Sequence, residues 1–164
     1  LSQIAEKNSM KVTHVKPHGA LNNMACENFE LANTIAKSIM HSSKDLIFLV
    51  PTGSEMENAG KKLGMKVASE IFADRNYEDD GNLVSRSKNH ALITDPETAK
   101  NHVIKMVKNQ TLNCYSGKQI PCDIDSICVH GDGKTAVKTA NEIRKGLIKN
   151  GVTLRPLDMM SKFA

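Results

Sequence analysis

Short apolar runs rich in β-branched residues alternate with segments of helical period along the whole chain, and few folds accommodate that pattern. It is the signature of repeated βα units, in which strands lie parallel and helices make the crossovers. The strand candidates are Lys11–Lys16, Leu46–Val50, Lys66–Phe72, Ile124–His130 and Val152–Leu154. Phe29, Ala32, Ala36 and Ile39 share one face at the 3.6-residue period, which predicts a helix between the first two strands. A second helix is expected to start at Ser54, with Glu57 completing a capping box, and to stop near Gly64. Asp95 and Pro96 read as the N-cap and first position of a third, with Ala99, Val103, Met106 and Val107 inward. The last helix, from about Thr135 to Lys149, is expected to turn Val137, Ala140, Ile143 and Leu147 inward. Leu1–Ser9 reads as the tail of another helix.

Two segments interrupt the alternation. Residues 76–88 are polar and read as a long loop, and 111–121 read as a hairpin around Ser116-Gly117. No repeat, low-complexity tract or linker divides the chain, so 1–164 is expected to be a single domain. A closed (β/α) barrel usually takes about 250 residues. The pattern therefore allows either an open α/β sheet or a barrel with strands missing.

Composition removes several functions. Twenty-two basic residues against 18 acidic ones leave a net charge of only +4, the basic residues are scattered, and there is no Trp. A nucleic-acid platform needs clustered cations and stacking rings. No apolar run approaches the roughly 20 residues of a membrane span, and the first residues carry no signal-peptide core. The four cysteines form no C-x-x-C pair, which argues against structural zinc. Cys114 and Cys122 flank the hairpin turn and could face each other, but reduced thiols of a cytoplasmic protein are the stronger reading.

In α/β folds, chemistry gathers where strands end. Three such ends carry dense polar clusters. In the first, His14 and Lys16 alternate onto one face and lead through Pro17 to His18-Gly19, unless this is an edge strand with exposed polar residues. In the second, Glu70, Phe72 and Asp74 share a face and Arg75 follows. That set can bind a cation, an anionic substrate or its own members. The third runs from Ile127 through His130-Gly131-Asp132-Gly133-Lys134-Thr135 into a helix. Gly-Lys-Thr there suggests a P-loop, but the Walker pattern needs Gly where Cys128 stands. A helix start with two glycines can still bind an anion through its free N–H groups. Arg86, in the long loop, is the one further charged residue singled out.

Four stretches in this order resemble the LamB/YcsF family: His14-Val15-Lys16-Pro17-His18-Gly19-Ala20-Leu21, Glu70-Ile71-Phe72-Ala73-Asp74-Arg75, Asp80-Gly81-Asn82-Leu83-Val84, and Ser126-Ile127-Cys128-Val129-His130-Gly131-Asp132. The resemblance covers almost the whole chain. It implies an incomplete (β/α) barrel of the glycoside hydrolase/deacetylase type, with about five mostly parallel strands and flanking helices. The chain would be about the carboxyl-terminal two-thirds of such a barrel. The family's amino-terminal motifs, a D-L-N-C-D start followed by H-A-G-D and G-A-H-P, lie outside it. Within it, Asn22 stands where the family usually has Tyr, Ser85 where it has Pro and His90 where it has Gly. Gly-Lys-Thr also replaces a Thr-Pro-Gly-like turn after Asp132.

The implied activity is that of the A component of 5-oxoprolinase. With partner subunits B and C, it would open 5-oxo-L-proline to L-glutamate at the expense of ATP, with Mg²⁺ accompanying the nucleotide. On that basis Lys16 neutralises phosphate or lactam-oxygen charge, and His18 and His130 carry protons. Asp74 and Asp132 orient the histidines, a water or Mg²⁺. His14 and Glu70 help to bind substrate, and Arg75 or Arg86 clamps its carboxylate. Two rivals from other classes are a P-loop-like phosphotransferase around Gly131–Thr135, with Lys134 as the key cation, and a non-catalytic remnant of a split gene.

Overall fold

The computed structural model describes residues 1–163. They form two compact units, one made of Leu1–Ala68 with the segment from Arg155 onward, the other of Ser69–Leu154.

The first unit contains α1 (Ser2–Lys7), β1 (His14–Val15), α2 (Gly19–Glu27), α3 (Phe29–Ser42), β2 (Ile47–Pro51) and α4 (Glu55–Lys62). β1 and β2 pair in parallel, with His14 opposite Ile47 and Val15 opposite Phe48. All five residues of β2 are buried, as expected for a strand covered on both faces. Its side chains alternate. Phe48 and Val50 pack with Ala25, Ala32, Ala36, Met56, Ala59 and Val67, while Ile47 and Leu49 pack with Ala68 and Phe163. The alanines of α2 and α3 let these helices approach closely.

The expected α4 start is present, with a variation. Ser54 Oγ accepts from Glu57 N–H at 3.3 Å, but the Glu57 carboxylate turns back to the N–H of Gly53 at 2.5 Å, not to that of the cap residue. Gly64, at φ +69°, closes the other end in the left-handed region. α2 is not legible in the sequence, for a physical reason. Its buried residues are Asn22 and Ala25, whereas Leu21 and Met24 face solvent, so it has no apolar stripe.

β3 (Val67–Phe72) runs from the end of the first unit into the second. The second unit continues with α5 (Pro96–Asn109), β4 (Thr111–Asn113), β5 (Gln119–Pro121), β6 (Ser126–Cys128) and α6 (Ala136–Lys149). β3 and β6 pair in parallel, and the strand order is β1-β2-β3-β6. The α/β class with parallel strands and flanking helices is therefore as expected. β4 and β5 form the expected hairpin as a separate antiparallel pair. Its register separates the two cysteines: Cys114 N–H donates to Lys118 O and Cys122 N–H to Gln110 O, both at 2.9 Å. They sit at opposite ends of the hairpin, and neither is in a disulfide.

Two expectations are corrected here. Val152–Leu154 is not a strand. Gly151, at φ +80°, reverses the chain, and Val152 N–H bonds back to Leu147 O, so the segment terminates α6. In α6 the inward residues are Thr139, Ile143, Gly146 and Leu147, whereas Val137 is 77% exposed. The buried stripe keeps Ile143 and Leu147 but takes Thr139 and Gly146 in place of Val137 and Ala140, and Gly146 packs against α5: a Cβ there would lie 2.8 Å from Ile104 Cδ1.

The polar segment after β3 is ordered around Tyr77. Its buried hydroxyl accepts from Phe72 N–H at 2.7 Å, and its ring stacks on His102 of α5 at 6.4 Å. The Nε2 of His102 is buried without a hydrogen-bond partner. Burial, assisted by the charge of Lys105, pushes its pKa down to about 4. The unfolded chain therefore takes up this proton first as pH falls. Stability should drop from about pH 6.5 to about pH 4, at up to about 1.4 kcal/mol per unit, then level off. His102→Phe keeps the ring stack and should flatten that slope. Urea midpoints at pH 7, 5.5 and 4.5 check it, and equal slopes for wild type and variant would remove His102 as the cause.

No helix among the described residues is long and apolar enough to cross a membrane.

Candidate functional site

In the second unit the register of β3 and β6 sets the site. Phe72 lies opposite Cys128, and Ala73 N–H still reaches Cys128 O at 2.9 Å. Two residues further along each strand come Asp74 and His130, so parallel pairing brings them side by side at the carboxyl ends. Nδ1 of His130 lies 2.8 Å from both carboxylate oxygens of Asp74. The backbone N–H of His130 donates to the same carboxylate at 3.3 Å. The imidazole also stacks on Phe72, with ring centroids 5.9 Å apart. Position, tilt and tautomer of the ring are thus set by neighbours, which leaves Nε2 as the nitrogen for chemistry.

A pocket of about 110 Å³ opens at this pair. Asp74, Arg86, Leu92, His130, Asp132 and Thr139 are among its lining residues. Of the two candidate arginines, only Arg86 lines it. Arg75 is 6% exposed and donates through Nη2 to Val84 O at 2.7 Å, bracing the loop from within. Its Nε is buried without a partner, and burial and the nearby Arg86 charge both disfavour its charged form. Glu70 is buried in the sheet, where Ser126 Oγ donates to it at 3.2 Å, and it does not line the pocket. Lys134 does not line it either. Cys128 lies within β6, so the loop into α6 starts after it.

The remaining candidates belong to the first unit. β1 ends at Val15, so Lys16 lies beyond the strand, half-buried. His14 is exposed, with Nδ1 3.0 Å from Thr13 Oγ1. His18 is the N-cap residue of α2 and contributes no side-chain cap.

Motif and strand-end reasoning does not find Thr139 or Leu92. Thr139 does leave a signal, since it stands four residues before Ile143 and eight before Leu147, on the buried stripe. A threonine there is either a core filler or a polar group facing a pocket.

An α/β fold with a carboxylate-backed histidine in a pocket at parallel strand ends defines an enzyme-like site. The LamB/YcsF family matches residues 1–162, and the chain belongs to that family. It is similar to several proteins named as the A component of 5-oxoprolinase. The one from Clostridium beijerinckii is 46% identical over 96% of this chain and 62% of its own length. That of Nitrobacter hamburgensis is 42% identical over 95% and 61%, and that of Staphylococcus epidermidis 43% over 96% and 62%. A solved structure, the lactam utilization protein from Thermus thermophilus, matches with a TM-score of 0.84 at 32% identity, covering 94% of this chain and 61% of that one. The chain therefore spans about six-tenths of the length of the relatives it matches.

Proposed function

We propose that the chain contributes the lactam-opening site of an ATP-dependent 5-oxoprolinase, acting as its A component beside subunits B and C in the cytoplasm. The observation that carries this reading is His130, held through Nδ1 by Asp74 at 2.8 Å with Nε2 left for the substrate. A carboxylate behind the imidazole favours the tautomer that accepts a proton at Nε2.

A five-membered lactam is an unactivated amide. Its oxygen attacks the γ-phosphorus of ATP, the bond to the β-phosphate oxygen breaks, and ADP leaves. Water adds to the activated carbon while His130 Nε2 takes its proton. The C–N bond then breaks as the nitrogen is protonated, leaving an acyl phosphate that a second water converts to glutamate and phosphate. Arg86 clamps the substrate carboxylate through its bidentate fork. Among the described residues no group of three or more His, Cys, Asp or Glu side chains could hold a metal ion. Mg²⁺ would arrive with the nucleotide phosphates, and Asp132 is the pocket carboxylate that would meet it. Lys16 and His18 are proposed as the phosphate-neutralising cation and a second proton carrier.

The test is ATP hydrolysis dependent on 5-oxo-L-proline by the full-length protein with subunits B and C. Lys16→Ala should lower that rate by about a hundred-fold or more, in the range of a lost electrostatic contact to the transition state, with an unchanged thermal midpoint. A rate near wild type would remove Lys16 from the reaction. No lactam-dependent hydrolysis in wild type would remove the proposed function itself.

A further inference from the structure

Val137 is 77% exposed and Ile148 54%, one near each end of α6. Their separation along the chain is close to three helical turns, so both side chains stand on one stripe, about 16 Å apart. Asn141 and Arg144, both exposed, fill the stripe between them. Lys138, Lys145 and Lys149 recur at helical spacing on one flank of it and are exposed as well. The opposite face is committed to the fold, where Ile143, Gly146 and Leu147 are buried and Gly146 packs against α5.

The charge of the chain is concentrated on this helix and the loop before it. Residues 134–149 hold five of the 22 basic residues and, in Glu142, one of the 18 acidic ones, which leaves 17 of each elsewhere. The whole net charge of +4 therefore sits on this segment. Little of it is neutralised nearby. Glu142 pairs with Lys145 at 3.4 Å, and Asp95 at the start of α5 lies in the field of Lys138. Arg144 and Lys149 have no ion-pair partner among the described residues. A single exposed valine or isoleucine needs no explanation. Two on one stripe, with an arginine between them and a lysine row beside them, match a protein interface, which has apolar and arginine anchors at its centre and charge at its rim.

We infer that the outward face of α6 is a docking surface for an acidic protein partner. That partner sets an apolar patch over Val137 and Ile148 and carboxylates against Arg144 and the lysine row. This rests on the proposed function, which places the chain beside subunits B and C, and it names the face that meets one of them. A membrane surface fits less well, because an interfacial helix needs a continuous apolar face and here an arginine divides two residues. A nucleic acid would find cations but no ring to stack on, since α6 has no aromatic residue. A second copy joined two-fold through α6 would bring like charges together.

The test is interferometry of the full-length protein with purified subunits B and C. Arg144→Glu with Lys145→Glu should weaken the wild-type Kd about hundred-fold or more, and Val137→Ser with Ile148→Ser about ten-fold or more. Lys37→Glu, exposed on α3, should change it by less than about two-fold. Raising NaCl from about 50 to about 500 mM should slow association of the wild type about ten-fold, and that of the charge-reversed variant less. Circular dichroism should show each variant folded, since every altered side chain faces solvent. If the glutamate pair unfolds α6, Arg144→Gln with Lys145→Gln removes the charge without reversing it, and a loss of about ten-fold is then expected. Association unchanged in these variants would overturn the docking face and leave the proposed reaction standing. No association of wild type with either subunit would overturn the face and the shared assembly together. A loss in the charge variants alone, with the serine variant at wild-type affinity, would reduce the contact to unspecific attraction and overturn a built interface. Wild-type binding to phosphatidylserine vesicles, or a wild-type dimer in sedimentation, lost on charge reversal while subunit binding is kept, would overturn the choice of partner. Protection of Lys138, Lys145 and Lys149 from acetylation in the full-length protein alone would show the face covered by its own chain, and would overturn that choice as well.

Discussion

Asp74→Asn should reduce kcat for 5-oxo-L-proline by about 10²- to 10⁴-fold, the range that a positioned acid–base group supplies. The change is nearly isosteric, and the oxygen of the new amide can still accept from the backbone N–H of His130, now 3.3 Å from the carboxylate. What changes is the imidazole. In the wild type both Asp74 oxygens lie 2.8 Å from Nδ1 and can only accept, so Nδ1 carries the hydrogen and Nε2 is basic. An amide NH₂ turned toward Nδ1 reverses that, placing the hydrogen on Nε2 and removing the base. KM should move little, since Asp74 is committed to His130 and the proposed clamp on the substrate is Arg86. Steady-state kinetics with a thermal midpoint for each variant separates chemistry from folding. A kcat within about ten-fold of wild type would show that the pair orders the strand ends and does no chemistry.

A loss of stability of about 1–3 kcal/mol is expected for Gly60→Ala, the size of overpacking in a filled core, and failure to fold is expected for Gly60→Leu. Gly60 lies inside α4, where a better helix former would ordinarily help by about 1 kcal/mol. Packing decides the sign here. A Cβ at this position would sit 2.7 Å from Val67 Cγ2 and 3.1 Å from Phe48 Cδ1. Both neighbours are core residues of the first unit, and a β-branched valine has no free rotamer into which to retreat. Against a total stability of about 5–15 kcal/mol, a leucine at this contact exceeds what the core can absorb. Chemical denaturation of Gly60→Ala is the measurement, and a midpoint above wild type would show that α4 can shift away from the sheet.

Much of the scaffold is legible in the sequence because local chemistry and burial agree. Asp95 and Pro96 start α5 and Gly64 closes α4, since caps act over a single turn. β2 can be read from its apolar run, and its burial on both faces follows. α2 is silent because its exposed face holds Leu21 and Met24 and its buried face holds Asn22. The inward face of α6 departs from its apolar pattern because Val137 is apolar yet exposed and Thr139 polar yet buried. There, approach to α5 at Gly146 outweighs the preference of single residues.

The sequence by itself determined the α/β class, the family and the polar strand ends, because periodicity and motif order are properties of neighbours along the chain. It also placed Asp74 and His130 on candidate strand ends. Only the tertiary structure decided that these two pair, since they are 56 residues apart and meet through the register of β3 with β6. It also separated the positions of Arg75 and Arg86. Both are arginines in polar surroundings when read along the chain, but one is buried against Val84 and the other borders the pocket. Side-chain direction at a strand end or in a loop follows from what packs against it, and that information is spread over residues distant in sequence.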